Sequence, residues 1–113
     1  MSKKEREKGK RGERLWANVC KEHGYTDVRR TAQYCGKTGD ASDCIGLPGI
    51  HQEVKFVERL NLRDAMTQAI SDAAKSGNMP IVAHKKSRQE WLVTMLAKDW
   101  FELYKEWESK HEK

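Results

Sequence analysis

The sequence predicts a mixed α/β domain whose helices and strands follow the order αβββαββα. Apolar residues such as Trp16 and Cys20 recur at helical spacing near the N-terminus, whereas residues 50–57 alternate with the period of a strand. A second helical stretch begins at Asn61, a good N-cap, and ends at Gly77. This order favours a central mixed sheet with helices on its faces.

The first helix is predicted over residues 4–22 and carries an acidic side chain near its apolar face. Glu13 lies three residues before Trp16 and seven before Cys20, which places it on or beside the inward stripe. A carboxylate in that position needs a partner, because burying an unpaired charge is unfavourable. The sequence leaves two partners open, a metal ion or a nearby lysine or arginine.

A predicted β-hairpin at residues 43–57 concentrates the residues that suggest chemistry. A Pro-Gly pair at 48–49 favours the turn, because proline presets φ and glycine tolerates a positive φ. Side chains alternate along the returning strand, so Glu53 and Lys55 share one face and Val54 lies on the other. One face of the strand therefore carries an acid and a base.

The hairpin is expected to bring Asp43 beside Glu53 and Lys55. Two carboxylates that converge at strand ends suit a hard divalent cation such as Mg²⁺, which prefers oxygen ligands. A lysine beside the ion could orient the attacking water and offset negative charge in a transition state. The alternative is that Glu53 and Lys55 are the solvated face of an amphipathic strand. Asp40 is a second candidate ligand, but Asp43 directly opens the first strand.

The remaining elements are predicted from strand-forming and helix-forming patterns. Strands are expected at residues 25–34, 79–84 and 90–95, and helices at 61–76 and 97–108. The last helix carries an apolar surface larger than one small core needs, made of Trp100, Phe101, Leu103, Tyr104 and Trp107. We expect most of it to pack on the chain's own sheet, with a dimer interface as the alternative.

The formal net charge is +5, and the basic residues cluster near the N-terminus. A basic surface suits a polyanion, of which nucleic acid is the commonest. The cluster consists of Lys3, Lys4, Arg6, Lys8, Lys10, Arg11 and Arg14. Such an arm could contact phosphates, or it could be a frayed and solubilising terminus. A basic adaptor for other proteins has no specific support.

Three cysteines, Cys20, Cys35 and Cys44, make an odd count without a CxxC motif, which favours reduced thiols in the cytoplasm. A zinc site that also uses His23 is disfavoured, because no second close ligand pair follows. No apolar run approaches the roughly 20 residues of a membrane span, and no secretory signal is evident. The Gly-Lys-Thr-Gly at 36–39 lacks P-loop spacing.

Asp43 followed by Glu53-Val54-Lys55 resembles the PD-(D/E)xK nuclease signature, with Ser42 in place of the proline. From residue 8 to about residue 104, the chain resembles archaeal-type Holliday junction resolvases and similar phage-encoded endonucleases. The resemblance implies a restriction-endonuclease-like fold over a single domain at 1–113, with a basic arm at 1–8 and a charged tail at 108–113.

The resemblance also implies a Mg²⁺-dependent DNA endonuclease, with Mn²⁺ as a substitute ion, and in the first place a Holliday junction resolvase. Such an enzyme would cut branched DNA as a symmetric homodimer in the cytoplasm, which is the host cytoplasm if a phage encodes it. One alternative is another nuclease of this fold that acts on duplex, nicked or flap DNA. A different class is a basic DNA-binding module without catalysis, which would show salt-sensitive binding and no cleavage.

Site residues follow from the resemblance by position. The catalytic residues would be Asp43, Glu53, Lys55 and Glu13, and the metal ligands Asp43, Glu53, the Val54 carbonyl and Glu13. Candidate DNA contacts are Arg30, Lys37, Thr38, Ser42, Gln68, Lys10 and Arg11. For Arg30, a salt bridge on an edge strand is the alternative role.

Overall fold

The structure, a computed structural model, describes residues 3–31 and 42–112 and confirms the predicted order of elements. The helices are α1 (Lys3–Glu22), α2 (Leu62–Ala73) and α3 (Ala97–His111). The strands are β1 (Arg29–Arg30), β2 (Cys44–Ile45), β3 (Ile50–Phe56), β4 (Met79–Lys85) and β5 (Leu92–Met95). Within these described ranges, no helix combines the length and the apolar character that a bilayer span requires.

The five strands form one mixed sheet in the order β1-β2-β3-β4-β5. Neighbouring strands are antiparallel except β3 and β4, which are parallel. A parallel pair needs a crossover connection, and α2 supplies it. The predicted mixed α/β class is therefore confirmed, with β3 at the centre of the sheet.

Two apolar clusters, one on each face of the sheet, hold the helices. The first contains Trp16, Ala17, Cys20, Val28, Cys44, Val54, Ile81 and Ala83, and it packs α1 against the strands. The second contains Ala65, Met66, Ala69 and Val82, and it packs α2 against the opposite face. Because side chains alternate along β3, Val54 faces α1 while Glu53, which pairs with Val82, faces α2.

Gln52 is a polar residue inside the α1 cluster that the hydrophobic pattern did not reveal. Its side chain is fully buried, and its Oε1 accepts a hydrogen bond from the Trp16 indole Nε1 at 2.8 Å. The bond satisfies the indole donor, which would otherwise be buried without a partner.

Helix α1 lies unusually close to β3 at Gly12. A Cβ at this position would stand 2.7 Å from the Cβ of Phe56, a distance that no relaxed packing allows. Glycine therefore lets α1 approach the sheet one residue before Glu13, and this approach brings the Glu13 side chain to the edge formed by β1 and β2.

Local signals placed the start of α2 correctly, whereas the helix ends at Ala73 rather than at the predicted residue 76. Asn61 is the N-cap, and its Oδ1 accepts a hydrogen bond from the backbone N–H of Asp64 at 3.1 Å. Beyond the helix, Gly77 adopts a positive φ of 75° and donates its N–H to the Ala73 carbonyl.

Strand β1 is shorter than predicted. It covers Arg29–Arg30 rather than 25–34, because its partner β2 is itself only two residues long and the chain before Val28 turns back on itself. The part of the predicted strand from residue 32 onwards lies outside the described residues.

The expected packing of the α3 aromatic residues on the chain's own sheet is wrong. Helix α3 extends to His111, and its large apolar side chains beyond Asp99 are 41% to 55% exposed. The physical reason is that α3 leaves the sheet after its first turn, so the two apolar clusters do not reach these side chains.

Candidate active site

A cleft of about 530 Å³ opens between the first half of α1 and the strands that follow it. Its lining includes Glu13 from α1, Arg30 from β1, Asp43 from the residue before β2, and Val54 and Lys55 from β3. The fold therefore brings most of the predicted site residues to one cleft. Glu53 does not line the cleft, and its carboxylate instead contacts His51.

Asp43 is held at the edge of the sheet by backbone hydrogen bonds. Its Oδ2 accepts the N–H of Val54 at 2.9 Å, and its own N–H donates to the Gln52 carbonyl at 2.9 Å. The neighbouring Ser42 Oγ accepts the Gln52 N–H at 2.6 Å. These bonds pin the first arm of the hairpin against β3, so the Asp43 carboxylate has a defined position.

The electrostatic surroundings of Asp43 are strongly unfavourable to its charge. Burial is the largest cause, and together with the Glu53 and Glu13 carboxylates it raises the pKa of the Asp43 carboxyl to about 7 from an ordinary value near 3.8. The Val54 N–H and the Lys55 ammonium act in the opposite direction but do not compensate. Burial, with Glu13 and Asp43 as lesser causes, also raises the pKa of Cys44 to about 12.

Glu53 lies in a second group of potential ligands that the sequence did not reveal. Its Oε1 is 3.1 Å from His51 Nε2, and both side chains are buried. A ligand atom from each of His51, Glu53 and Asp72 lies within 4.8 Å of the others. The alternation of His51 and Glu53 along the strand was a usable signal, whereas Asp72 joins only through the packing of α2.

Gln68, the predicted DNA contact on α2, is exposed and donates its side-chain amide to Asp72 Oδ2 at 2.8 Å. It therefore borders the group that contains Glu53 and does not line the cleft. An imidazole with two carboxylates suits transition metals, while an all-oxygen set suits Mg²⁺. Glu53 belongs to both sets, because it contacts the His51 imidazole and also interacts with the Asp43 carboxylate.

Glu13 and Arg30 form a close ion pair. The Arg30 Nε donates to Glu13 Oε1 at 2.8 Å, and the Glu13 side chain is only 13% exposed. This is the lysine or arginine partner that the sequence left open, and it is also the salt bridge foreseen as the alternative role of Arg30. The pair fixes both side chains at the rim of the cleft.

A cluster of cations surrounds the Phe56 ring at the other end of the cleft. Lys8, Arg11 and Lys85 place their charged groups 5.1 to 5.8 Å from the ring centroid. Lys10 also lines the cleft and is 3.8 Å from Glu7. Positive charge thus borders the carboxylate-rich centre of the cleft on one side.

Lys37, Thr38 and the rival ligand Asp40 lie outside the described residues, as does Cys35 of the disfavoured zinc site. Cys20 and Cys44 are buried free thiols. In residues 3–31 and 42–112, no group of three potential ligands includes either cysteine.

The raised pKa of Asp43 has a measurable consequence for metal binding. Below its ordinary pKa the Asp43 carboxyl is protonated in both the folded and the unfolded chain. As the pH rises towards 7, the carboxyl ionises freely in the unfolded chain, whereas burial opposes its ionisation in the folded chain. The folded state therefore becomes less stable relative to the unfolded state over this pH range. A divalent cation would offset this loss above pH 7 and would compete with a proton below it. The rise in melting temperature caused by Mg²⁺ or Ca²⁺ should therefore be larger at pH 8 than at pH 5 by differential scanning fluorimetry. An equal rise in melting temperature at pH 5 and pH 8 would contradict Asp43 as a ligand of the cation.

Neither a protein-family model nor a curated protein matches the sequence. Among solved structures, the chain is similar to Hjc, a Holliday junction resolvase from the archaeal hyperthermophile Archaeoglobus fulgidus. The two chains are 24% identical, the TM-score is 0.58, and the match covers 75% of this chain and 74% of Hjc. At this identity the likeness shows the fold alone, and that fold is the restriction-endonuclease-like arrangement that the resemblance implied.

Proposed function

We propose that this chain is a divalent-metal-dependent endonuclease that hydrolyses DNA phosphodiester bonds, in the first place at four-way junctions. The observation that carries the proposal is the Asp43 carboxylate, which is held by backbone bonds beside the carboxylates of Glu53 and Glu13. Such a group is stable near neutral pH only with a proton or a cation. The donor set consists of oxygens and therefore fits Mg²⁺ or Mn²⁺.

In this proposal Asp43, Glu53 and the Val54 carbonyl hold the cation, and Glu13 extends the set. A bound divalent cation would lower the pKa of a coordinated water and stabilise charge on the leaving oxygen. Lys55, from the cleft wall, would orient the attacking water and offset charge on the phosphate. Asp43 and Glu13 are held in place by the contacts described above, whereas Glu53, which contacts His51, would have to turn towards Asp43.

The contact between Glu53 and His51 gives this site a particular requirement. Glu53 raises the pKa of Asp43, so the two carboxylates interact, although Glu53 also contacts His51 on the α2 face. In the proposal, metal binding draws the Glu53 carboxylate towards Asp43, while Glu53 Oε1 keeps its contact with His51.

The cations near the cleft are proposed to bind the DNA backbone. Arg30 is held by Glu13 at the rim, where its guanidinium is suited to contact a phosphate. Lys8, Arg11 and Lys85 around Phe56 would extend the phosphate track past the cleft. Binding should then weaken steeply as salt is raised.

Two alternative functions predict different products. A nuclease of this fold with another substrate would cut linear duplex or flap DNA as readily as junctions. A DNA-binding module would bind without cutting, using only the basic residues.

The proposal includes a homodimer, because paired cuts at a junction would require two active sites. It also places the protein in the cytoplasm, which the buried free thiols of Cys20 and Cys44 support.

The test is a cleavage assay with end-labelled four-way junction, linear duplex, flap and single strand, each with Mg²⁺, Mn²⁺ or EDTA. We expect symmetric paired cuts in the junction that require the metal ion. Lys55→Ala should bind the junction but not cut it, and Lys75→Ala, at an exposed position in the turn after α2, is the matched control. Binding without any cleavage in either metal would reject the nuclease proposal.

A further inference from the structure

Strand β3 buries an imidazole and a carboxylate side by side. His51 is 3% exposed and Glu53 is 5% exposed, and the distance from His51 Nε2 to Glu53 Oε1 is 3.1 Å. A glutamate is rarely buried to this extent unless it is paired or binds a metal ion, because its charge is stabilised by water. Imidazole nitrogen and carboxylate oxygen are both common metal ligands, so the pair forms two parts of a candidate metal site.

Helix α2 brings a third ligand to this pair. Ala69 and Ala73 are buried, and their small side chains allow α2 to approach the sheet closely. Asp72 directly precedes Ala73, and a ligand atom from each of His51, Glu53 and Asp72 lies within 4.8 Å of the others. We call these three residues the His51 site. The site therefore draws its ligands from two separate elements of the fold.

The distances in the His51 site are close to those around a four-coordinate zinc ion. Zinc binds imidazole nitrogen and carboxylate oxygen at about 2.0–2.2 Å, which places neighbouring ligand atoms about 3.3–3.6 Å apart in a tetrahedral arrangement. The His51–Glu53 distance of 3.1 Å is already near this value. A ligand atom of Asp72 at the 4.8 Å limit would need to move by roughly 1 Å, which rotation of its side chain can supply.

Asp72 is oriented by the residue one helical turn before it. Gln68 donates its side-chain amide to Asp72 Oδ2 at 2.8 Å, which leaves Oδ1 to bind an ion. Hydrogen bonds to a ligating carboxylate fix its orientation, and their loss commonly lowers metal affinity 10- to 100-fold. The contact therefore gives Gln68 a role in holding a metal ligand, a role different from the DNA contact predicted from the sequence.

The ligand chemistry distinguishes the His51 site from the cleft. One imidazole nitrogen with two carboxylate oxygens suits Zn²⁺ and similar transition-metal ions, whereas the all-oxygen set around Asp43 suits Mg²⁺. The contacts of Glu53 and Asp72 described above are an imidazole and an amide, and neither supplies the fixed positive charge of a lysine or arginine. A divalent cation would supply that charge between the two carboxylates.

We propose that His51, Glu53 and Asp72 form a second metal site, for Zn²⁺ or a similar transition-metal ion, which joins β3 to α2. Glu53 is also a ligand of the proposed Mg²⁺ site, so an ion bound with His51 and Asp72 holds its carboxylate on the α2 side. Zn²⁺ therefore opposes the turn of Glu53 towards Asp43 and inhibits cleavage. The inhibition rests on the proposed function, whereas the binding of Zn²⁺ does not.

Isothermal titration calorimetry with Zn²⁺ in excess Mg²⁺ tests the binding. We expect the wild-type chain to bind Zn²⁺, and Asp72→Asn to lower the affinity by about 10²-fold or more, because a ligand is lost. Asp64→Asn is the matched control, because Asp64 is an exposed acid on the same helix. A wild-type chain that binds no Zn²⁺, or an Asp72→Asn variant of unchanged affinity, would overturn the proposal.

Co²⁺ in place of Zn²⁺ reports which residues bind the ion. Four-coordinate Co²⁺ absorbs visible light much more strongly than six-coordinate Co²⁺, so the His51 site should give a strong visible spectrum. The spectrum should be lost in both His51→Gln and Asp72→Asn and kept in Asp43→Asn, because Asp43 belongs only to the cleft. A spectrum that is lost in Asp43→Asn and kept in His51→Gln would place the ion in the cleft and reject the His51 site.

Cleavage of junction DNA in Mg²⁺ with increasing Zn²⁺ separates this proposal from the proposed function. Zn²⁺ should inhibit the wild-type chain, and Asp72→Asn should need roughly 10²-fold more Zn²⁺ for the same fractional loss of its own rate. A chain that binds Zn²⁺ at the His51 site and cuts no DNA would reject only the nuclease. Equal inhibition of both proteins would reject the coupling through Glu53.

Discussion

Replacing Asp43 by asparagine should abolish metal-dependent cleavage and, at pH 8 without metal, make the protein more stable. Asparagine keeps an oxygen that can accept the Val54 N–H, so the sheet edge is retained. It removes the charge that burial and the carboxylates of Glu53 and Glu13 make unfavourable. We expect a fall in cleavage rate of roughly 10³-fold and a rise in melting temperature of about 4 °C or more.

The matched control for this experiment is Asp64→Asn. Asp64 is an exposed acid in the first turn of α2, where it interacts favourably with the helix dipole. Its replacement should leave cleavage intact and slightly lower the melting temperature, the opposite pattern to Asp43→Asn. An Asp43→Asn protein that cuts DNA at the wild-type rate, or melts below wild type at pH 8 without metal, would remove Asp43 from the centre of the site.

Replacing Gly12 by alanine should destabilise the protein and disturb the site together. The new Cβ would stand 2.7 Å from the Phe56 Cβ, so α1 would have to move away from β3. We expect a loss of about 1–3 kcal/mol in the free energy of unfolding, measured by urea denaturation. Because Glu13 is the next residue, displacement of α1 should also lower the cleavage rate, by up to about 10²-fold.

Gly9→Ala separates close packing from the general effect of alanine in a helix. Gly9 lies in the same helix, and a Cβ there would meet nothing within 4 Å. Its replacement should stabilise the protein by roughly 0.5–1 kcal/mol, because alanine is the better helix former. If both variants were stabilised equally, the close approach of α1 to β3 would not be a constraint on this fold.

Much of the architecture could be predicted because local chemistry determines it. The Asn61 cap, the positive φ of Gly77 and the alternation along β3 are each decided within a few residues, and the order of elements follows from them. The same signals placed Val54 in the core. The short β1 was mispredicted because strand length depends on the partner strand, which local sequence does not describe.

The side-chain partners at the site depend on tertiary packing and were less accessible. Glu13 was placed beside the apolar stripe, but the choice of Arg30 as its partner needs the position of β1 against α1. Glu53 and Asp72 lie close together only because α2 packs on the sheet, and local sequence does not describe that packing. The exposure of α3 was mispredicted because an apolar stripe indicates that a surface is covered without indicating by which chain.

The bond between Trp16 and Gln52 has a consequence for how the chain selects its alignment while folding. Polar residues at consecutive positions of β3 weaken the distinction between its faces, so hydrophobic burial alone discriminates poorly against a shift by one residue. Such a shift would turn Glu53 towards Trp16, and the indole would then exchange its neutral acceptor for a carboxylate buried in the apolar α1 cluster, which is unfavourable. The native alignment gives the indole an uncharged acceptor, although Gln52 Nε2 itself has no partner among the described residues. The buried amide oxygen therefore favours the strand position on which the geometry of the cleft depends. A leucine at position 52 could fill the same space and would lose that selection.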